Sequence, residues 1–199
     1  MKLLEDRIRE DGIVLGGDVL RVDSFINQQI DTELLDQMAD VWIDHFKGEK
    51  ITKVMTIESS GIAIAYPVAF KLGVPLVFAK KAKTLNLGDD VYTAQVRSYT
   101  QQVVRTSLVE KRFLNEGDRV LLVDDFLANG FAMEGLISIC QQAGAEPVGI
   151  CIAIEKGFQE GGKKLRAEGW RVDSLAIVES MDEKDNSIVF RRSEFEKAE

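Results

Sequence analysis

From residue 51 onward, short apolar runs alternate with helical or hairpin segments, and this alternation constrains the fold more than any other feature of the chain. The runs ITKVMTI, VPLVFAKK, GDRVLLVDD and EPVGICIAIEK have the length and residue types of buried strands. Crossover helices return the chain to the same edge of a sheet, so that successive strands pair in parallel. The sequence therefore predicts an α/β fold with an open, mostly parallel sheet flanked by helices.

Flanking patterns predict further elements. An amphipathic helix is expected over residues 3 to 11, and Asp31 is placed to cap a second helix whose apolar residues recur at helical spacing up to Phe46. The stretch from Ala82 to Phe113 is polar and then rich in β-branched residues, which predicts a loop followed by a long antiparallel hairpin. Pro67 falls inside the helix after the first strand, where we expect a kink or an early turn.

The second half of the chain adds two helices and two strands to this scheme, and FQEGGKKLRAEGW is the shorter helix, followed by a turn. An apolar helical pattern starts at Phe131, RVDSLAIVES predicts a last parallel or edge strand, and Ser187 to Phe190 form one short strand candidate. Cys140 and Cys151 sit in apolar surroundings without metal-like spacing, so both are expected to be buried thiols. The only histidine, His45, is expected to lie at the surface or to compensate a helix dipole.

Length and charge bound the function. A chain of 199 residues suits a single domain, and a net charge of -8 argues against broad electrostatic binding to nucleic acid or to an anionic membrane. The N-terminal MKLLEDRIRED lacks the apolar core of a signal peptide, and no apolar run approaches the ~20 residues of a membrane span. We therefore expect a cytoplasmic protein whose partners are small molecules.

Polar residues follow four of the predicted strands. They are ESSG at 58 to 61, KK at 80 and 81, DDFLANG at 124 to 130 and EKGF at 155 to 158. In open parallel α/β sheets, ligands bind beyond the carboxyl ends of the strands, where loops and helix N-termini converge. Small residues, lysines and paired carboxylates at these ends indicate a phosphate and sugar site, although each segment taken alone also fits a solvated strand end or an ordinary helix start.

The adjacent acids Asp124 and Asp125 are the most informative of these residues. Two like charges at the mouth of a buried strand raise each other's pKa and cost stability, so the pair needs a polar ligand, a cation or open solvent. The LANGFA loop that follows has small residues whose amides can surround a phosphate.

VLLVDDFLANG resembles the signature of the type I phosphoribosyltransferases, in which an apolar strand, two acids and a small-residue loop bind 5-phosphoribosyl 1-diphosphate. VDSFINQQID, TIESSGIA, LGVPLVFAKK and IEKGFQ extend the resemblance over nearly the whole chain, in particular to the bacterial members that act on xanthine. The resemblance implies one phosphoribosyltransferase domain over residues 1 to 199. It further implies a small hood from about 1–30 and 157–190, and a β-hairpin lid at about 83–98 that closes over the site.

The resemblance also implies roles for particular residues. Asp124 and Asp125 would accept hydrogen bonds from the ribose hydroxyls and serve catalysis. The 5′-phosphate would be bound by Ala128, Asn129, Gly130, Phe131 and Ala132. The diphosphate and its Mg²⁺ would face Glu58, Ser59, Ser60, Gly61, Lys80 and Lys81, with no direct protein ligand to the metal. The purine would contact Leu20, Asn27, Lys156 and Phe158.

The implied reaction is purine salvage, in which the phosphoribosyl group moves to N9 of xanthine and diphosphate is released by a homodimeric enzyme. Two departures from the family pattern bear on the base. Many relatives carry threonines in the phosphate loop, where this chain has Ala128 and Asn129. Hypoxanthine-guanine relatives place an aspartate three residues after the acidic pair, and this chain has Ala128 at that position. Guanine or hypoxanthine therefore stays an alternative to xanthine as the base. A non-catalytic protein that senses the diphosphate donor stays an alternative to an enzyme.

Overall fold

The structure, a computed structural model, describes residues 1–16, 18–81, 90–98, 103–193 and 195. The helices are α1 (Lys2–Asp11), α2 (Thr32–His45), α3 (Ser60–Leu72), α4 (Phe131–Ala143) and α5 (Glu160–Ala167). The strands are β1 (Ile13–Leu15), β2 (Val19–Arg21), β3 (Lys53–Ile57), β4 (Leu76–Ala79), β5 (Val91–Ser98), β6 (Val103–Glu110), β7 (Arg119–Leu127), β8 (Glu146–Lys156), β9 (Val172–Asp182) and β10 (Ser187–Arg191). Single turns of π-helix and 3₁₀-helix lie at Asp23–Asn27 and Lys111–Phe113.

A six-stranded sheet in the order β10-β9-β8-β7-β3-β4 forms the centre of the domain. Every neighbouring pair is parallel except β9 and β10, which are antiparallel. The parallel strands, counted along the chain, therefore stand in the spatial order 2-1-3-4-5. The direction of sheet growth reverses between β3 and β7, and such a switch point is where doubly wound sheets bind ligands.

Two apolar clusters cover the two faces of the sheet. One joins the apolar sides of α1, α2 and α3 to the β1–β2 hairpin, with Trp42 and Phe25 at 0% exposure. The other joins α4, Leu165 of α5 and the β5–β6 hairpin. Asp31 caps α2 as predicted, because its carboxylate accepts a hydrogen bond from the Leu34 amide at 3.1 Å. Burial of both faces explains why the central strands read as continuous apolar runs.

Most predicted elements are confirmed, and two expectations change. Helix α3 runs without interruption from Ser60 to Leu72 and contains Pro67, so no early turn occurs there. His45 is the last residue of α2, but its Nδ1 lies 2.7 Å from the carboxylate of the buried Asp173, which sequence position did not indicate. This pair lies at the amino end of β9, the sheet edge opposite to the carboxyl strand ends.

The two cysteines are buried, as predicted. Burial raises the pKa of the Cys140 thiol to about 12 and that of Cys151 well above its ordinary value. No helix within the described ranges has the length and apolar character needed to cross a membrane.

The boundaries of the expected hood and lid stay predictions. β9 and β10 extend the central sheet, while β1 and β2 form a separate hairpin. The expected lid begins at 83, and residues 82 to 89 lie outside the described residues. The described remainder of the lid segment forms β5, which pairs with β6 from Val91↔Glu110 to Ser98↔Val103.

Candidate active site

A cavity of about 390 Å³ opens at the switch point between β3 and β7. This volume lies within the range of small-molecule sites. It is lined by Ile57, Ser60, Lys81, Thr106, Ser107, Asp124, Asp125, Phe126, Leu127, Ala128, Asn129, Gly130, Phe131, Ala132 and Met133. Three of the four polar strand ends thus meet around one space: the segment after β3, the lysine after β4 and the motif after β7.

The paired acids lie in the floor of this cavity at low exposure, 4% for Asp124 and 8% for Asp125. Burial is the largest cause that raises the pKa of Asp124 well above its ordinary value, and the neighbouring charge of Asp125 adds to it, while Lys81 opposes both. The Asp125 amide donates to Asp124 Oδ1 at 3.0 Å, and the Asn27 amide donates to Asp125 Oδ2 at 2.8 Å. Polar groups of the protein therefore offset only part of the cost of burial.

Gly61 allows the start of α3 to approach these acids closely. A Cβ at this position would lie 2.1 Å from Thr56 Oγ1 and 2.8 Å from Asp124 Oδ1, so a larger residue would displace the acid or the helix. Among the described residues, the buried Thr56 hydroxyl has no hydrogen-bond partner. Buried polar groups normally have hydrogen-bond partners, so the Thr56 hydroxyl is an exception that lies close to Asp124.

Residues 128–132 comprise the turn between β7 and α4 and the first two residues of α4, and we call them the phosphate loop. Gly130 has φ +86° and directly precedes α4, a conformation that residues with a Cβ rarely adopt. The first amides of a helix have no intrahelical acceptor and carry the positive end of its dipole, so this loop offers N–H donors to an anion. The one acid in the first turn of α4, Glu134, is paired with Lys164 of α5 at 2.6 Å.

The ends of β3 and β4 supply the opposite wall. Ser60 and Lys81 line the cavity, and Glu58 Oε1 accepts a hydrogen bond from the Lys81 amide at 2.7 Å, which ties the two strand ends together. The peptide between Glu58 and Ser59 is cis. Lys80 exchanges two main-chain hydrogen bonds with Leu108 of β6, both at 2.9 Å, and so brings the β5–β6 hairpin to the site.

The four residues expected to contact a purine, Leu20, Asn27, Lys156 and Phe158, lie outside the lining of this cavity. Asn27 nevertheless contacts the acidic pair, and the Lys156 ammonium lies 5.7 Å from the ring centroid of Phe126, which lines the cavity. Lys156 Nζ also donates to the Asp18 carbonyl at 2.6 Å, and burial lowers the pKa of this ammonium. Leu20 of β2 is buried in the first apolar cluster, and Phe158 packs against the same cluster.

Several lining residues escaped the sequence-based prediction: Ile57, Thr106, Ser107, Phe126, Leu127 and Met133. Phe126 and Leu127 stand in sequence between the acids and the predicted loop, and that position was the signal that could have identified them. Thr106 and Ser107 carried no local signal, because they reach the site only through the long-range pairing of Lys80 with Leu108.

The described residues of the site do not form a complete set of metal ligands. Within the described part of the chain, no group of three or more His, Cys, Asp or Glu side chains is arranged to hold a metal ion. Mg²⁺ is usually held by one or two carboxylates together with substrate phosphates and water. Asp124 and Asp125 leave a negatively charged surface in the cavity, which is compatible with an ion whose donors come mainly from the phosphates of the ligand and from water.

Comparisons with known proteins agree with this geometry. The phosphoribosyl transferase domain model matches residues 27–186. A xanthine phosphoribosyltransferase of Bifidobacterium adolescentis is 58% identical over 192 residues, covering 96% of this chain and 100% of that protein. A xanthine phosphoribosyltransferase of Ligilactobacillus salivarius is 50% identical over 194 residues, covering 98% of this chain and 100% of that protein. The crystal structure of the APRTase from Giardia lamblia complexed with 9-deazaadenine is 30% identical with a TM-score of 0.73, and the match covers 87% of this chain and 96% of that one.

Proposed function

The chain belongs to the phosphoribosyltransferase family, and we propose that it is a purine salvage enzyme acting on xanthine. It transfers the 5-phosphoribosyl group from 5-phosphoribosyl 1-diphosphate to N9 of xanthine, giving xanthosine 5′-monophosphate and diphosphate. Full-length similarity at 50–58% identity to proteins named xanthine phosphoribosyltransferase supports this choice of base.

One observation carries the proposal: a single cavity joins the buried pair Asp124 and Asp125 to the phosphate loop at the start of α4. Carboxylates accept hydrogen bonds from vicinal ribose hydroxyls, and helix-start amides donate to a phosphate. A sugar phosphate satisfies both sets of groups at once, and it would also supply partners for the undercompensated acids.

The residue roles follow from charge development. When the bond to the diphosphate breaks ahead of bond formation, positive charge develops on the ribose ring and negative charge on the leaving group. Asp124 and Asp125 stabilise the cationic sugar, and Lys81, which lines the cavity, stabilises the leaving diphosphate together with the neighbouring Lys80. Glu58, Ser59, Ser60 and Gly61 orient the diphosphate, and residues 128–132 hold the 5′-phosphate in place.

Mg²⁺ belongs to this proposal as a cofactor bound mainly through the diphosphate. When bound, the ion neutralises charge on the leaving group as a Lewis acid. The protein's part is to place the acidic pair in the cavity, to fix the Lys81 main chain through Glu58, and to exclude water. Omitting Mg²⁺ should remove nucleotide formation.

The base is assigned to the region of Leu20, Asn27, Lys156 and Phe158. Asn27 and Lys156 supply donors for purine oxygens and ring nitrogens, and Phe158 supplies a stacking surface. Because Ala128 has no titratable side chain, we propose that xanthine, a comparatively acidic purine, loses its N–H proton with little help from the protein. Replacing each nearby carboxylate other than Asp124 and Asp125 should leave the pH-rate profile unchanged.

We further propose a cytoplasmic homodimer whose lid, at about 83–98, closes over the bound substrates. Support for a dimer comes from an aromatic patch beside the β4 edge. Tyr66 and Phe70 of α3 stack at 6.0 Å while 60% and 72% exposed, and Phe78 of β4 is 40% exposed. Solvent-exposed aromatic clusters of this kind mark protein contacts. Sedimentation analysis of the wild type and of Phe70→Asp tests the dimer, which the variant should weaken.

The central experiment incubates the protein with 5-phosphoribosyl 1-diphosphate, Mg²⁺ and one purine at a time: xanthine, hypoxanthine, guanine or adenine. Nucleotide should form fastest from xanthine. A preference for guanine or hypoxanthine would correct the base and keep the reaction. Donor binding without product from any purine would instead favour a non-catalytic sensor.

A further inference from the structure

We infer that helix α5 positions the two halves of the active site relative to each other, with Arg166 as the positioning residue that fixes the helix. The inference rests on the proposed function, because it takes the phosphate loop and the segment 156–159, here called the base loop, as the two halves. Neither Arg166 nor any other α5 side chain lines the cavity.

The first contact of α5 is with the backbone of the phosphate loop. The Gly161 amide donates to the Ala128 carbonyl at 3.0 Å. A Cβ on Gly161 would lie 2.4 Å from that carbonyl oxygen and 2.5 Å from the Gly130 nitrogen. The helix therefore touches the loop main chain to main chain, and only glycine permits this distance.

The second contact pairs Lys164 of α5 with Glu134 of α4 at 2.6 Å. Glu134 lies in the first turn of α4, and its Oε1 is 3.8 Å from where a Cβ on Gly130 of the phosphate loop would stand. Exposed ion pairs contribute little to stability, so the importance of this pair is electrostatic and local. Lys164 offsets an acid that would otherwise oppose the anion.

The third contact fixes α5 to β8. Both terminal nitrogens of Arg166 donate to the Glu155 carboxylate, at 2.8 Å each, and the Ser174 hydroxyl donates to the same group. Glu155 is 1% exposed. Gly162 leaves room for this pair, since a Cβ there would lie 2.1 Å from Glu155 Oε1. A planar guanidinium held at two points has a defined orientation, which an ammonium cannot reproduce.

The base loop is closed by this same ion pair. Glu155 directly precedes the loop, and α5 begins at Glu160 directly after it. Within the loop, the Gln159 amide donates to the Lys156 carbonyl at 2.9 Å. Both ends of the base loop are thus held by one buried contact, and the helix that ends it also touches the phosphate loop. Positioning errors of about 1 Å can cost ~100-fold in rate, so such a shared support matters for catalysis.

The test measures KM for the donor, KM for xanthine and kcat in matched variants of the full chain. Gly161→Ala should raise the donor KM at least tenfold with a smaller change in kcat, and Arg166→Lys should raise both KM values. Lys164→Glu should raise the donor KM, and the swapped pair Lys164→Glu with Glu134→Lys should restore it. Lys163→Ala, on the same helix and paired only with Glu160 among the described contacts, should behave as wild type.

Amide hydrogen exchange of the phosphate and base loops in the free protein gives a second readout that does not require activity. Faster exchange in both loops of Arg166→Lys is expected. Wild-type KM values and wild-type exchange in Gly161→Ala and Arg166→Lys would overturn the inference, as would a charge swap that fails to restore what Lys164→Glu loses. If Gly161→Ala does not fold, Arg166→Lys, which keeps the positive charge and removes the two-point contact with Glu155, still decides the question. If the wild type forms no nucleotide, the proposed function is refuted but the inference about α5 is not. The hydrogen-exchange data then test separately whether α5 positions the two loops.

Discussion

Two neighbouring strands, β7 and β8, end in buried carboxylates that the protein surrounds in opposite ways. At the end of β8, Glu155 is contacted by Arg166 at two points and by Ser174, and Arg191 lies 3.8 Å away. At the end of β7, two acids face each other's charge, and the described side chains supply one amide donor, from Asn27. All three carboxylates are buried, Asp124 and Asp125 at 4% and 8% exposure and Glu155 at 1%, so the main difference lies in their partners.

The difference teaches where function resides in this sheet. A buried carboxylate whose two oxygens both accept hydrogen bonds orders its surroundings. An unsatisfied pair costs stability and persists where a ligand supplies the missing partners. The comparison therefore predicts that changes at β7 affect activity and changes at β8 affect stability and positioning.

The largest expected effect is on catalysis at β7. Asp124→Asn and Asp125→Asn should each lower kcat/KM by ~1,000-fold, about 4 kcal/mol, because in the proposed mechanism each carboxylate stabilises the transition state. Neither should lower the free energy of unfolding, since the substitutions relieve repulsion. Steady-state kinetics and urea unfolding of the same preparations measure the two quantities.

Asp118, at the amino end of β7, provides the matched control. It is hydrogen-bonded to Thr52 at 3.0 Å and paired with Lys53 at 3.3 Å, far along the strand from the cavity. Asp118→Asn should lose stability and keep kcat/KM. Equal losses of activity at both ends of the strand would remove the distinction between them.

The next effect concerns stability at β8. Glu155→Gln should lower the free energy of unfolding by about 3 kcal/mol, because it leaves the Arg166 guanidinium without its counter-charge in a partly buried position. Replacing both partners by methionine should recover most of this loss, since apolar side chains of similar length avoid the burial of charge. Urea unfolding of the wild type and the two variants checks this. A double variant less stable than Glu155→Gln would contradict the argument.

Much of the fold could be predicted because its signals are local. EPVGICIAIEK is β8 from end to end, and the helix predicted to start at Phe131 does start there. Asp31 caps α2 because capping depends on a side chain and an amide three residues away. The position of the acids at the carboxyl end of β7 followed from the parallel sheet, whose strand ends share one edge.

The rest depends on contacts that no local pattern carries. Asn27 meets Asp125 across 98 positions of sequence, and the pairing of Lys80 with Leu108 brings β6 to the site. EKGF drew attention as a polar strand end, but nothing in it showed that Glu155 pairs inward with Arg166. Sequence spacing thus located the edge of the sheet where ligands bind. It left open which of the charged groups at that edge are paired within the protein.

A smaller effect separates two roles of Asn27, an exposed residue that donates to Asp125 in the free protein. If Asn27 binds the C2 oxygen of xanthine, Asn27→Ala should narrow the preference for xanthine over hypoxanthine about tenfold, because the extra oxygen loses its partner. If it only supports Asp125, kcat/KM for both purines should fall equally. The ratio of kcat/KM for xanthine to kcat/KM for hypoxanthine distinguishes the two roles of Asn27. Gln28→Ala, at the exposed neighbouring position, serves as the control.

The smallest effect is the pH dependence of stability. The pKa of Asp124 is raised in the folded chain, chiefly by burial and then by Asp125, above an ordinary value of 3.8. The folded state therefore holds this proton more tightly, and the stability that the proton confers is lost as the pH rises from 3.8 through the native pKa. Asp124→Asn lacks this loss, so its stability advantage over wild type should grow across that window, by at most about 1.4 kcal/mol per pH unit.

The stability contribution of Asp118, the residue directly before β7, should change with pH in the opposite direction. Burial raises the pKa of this carboxyl, but hydrogen bonds from the Asn115 amide, Thr52 and Lys53 outweigh burial and lower it below 3.8. Its stabilisation is present above pH 3.8 and is lost as the pH falls through the native pKa, so the deficit of Asp118→Asn should shrink on acidification. Urea unfolding at a series of pH values measures both variants against wild type. Parallel pH profiles for the two variants would mean that the ends of β7 do not differ in charge compensation, because opposite compensation requires opposite slopes.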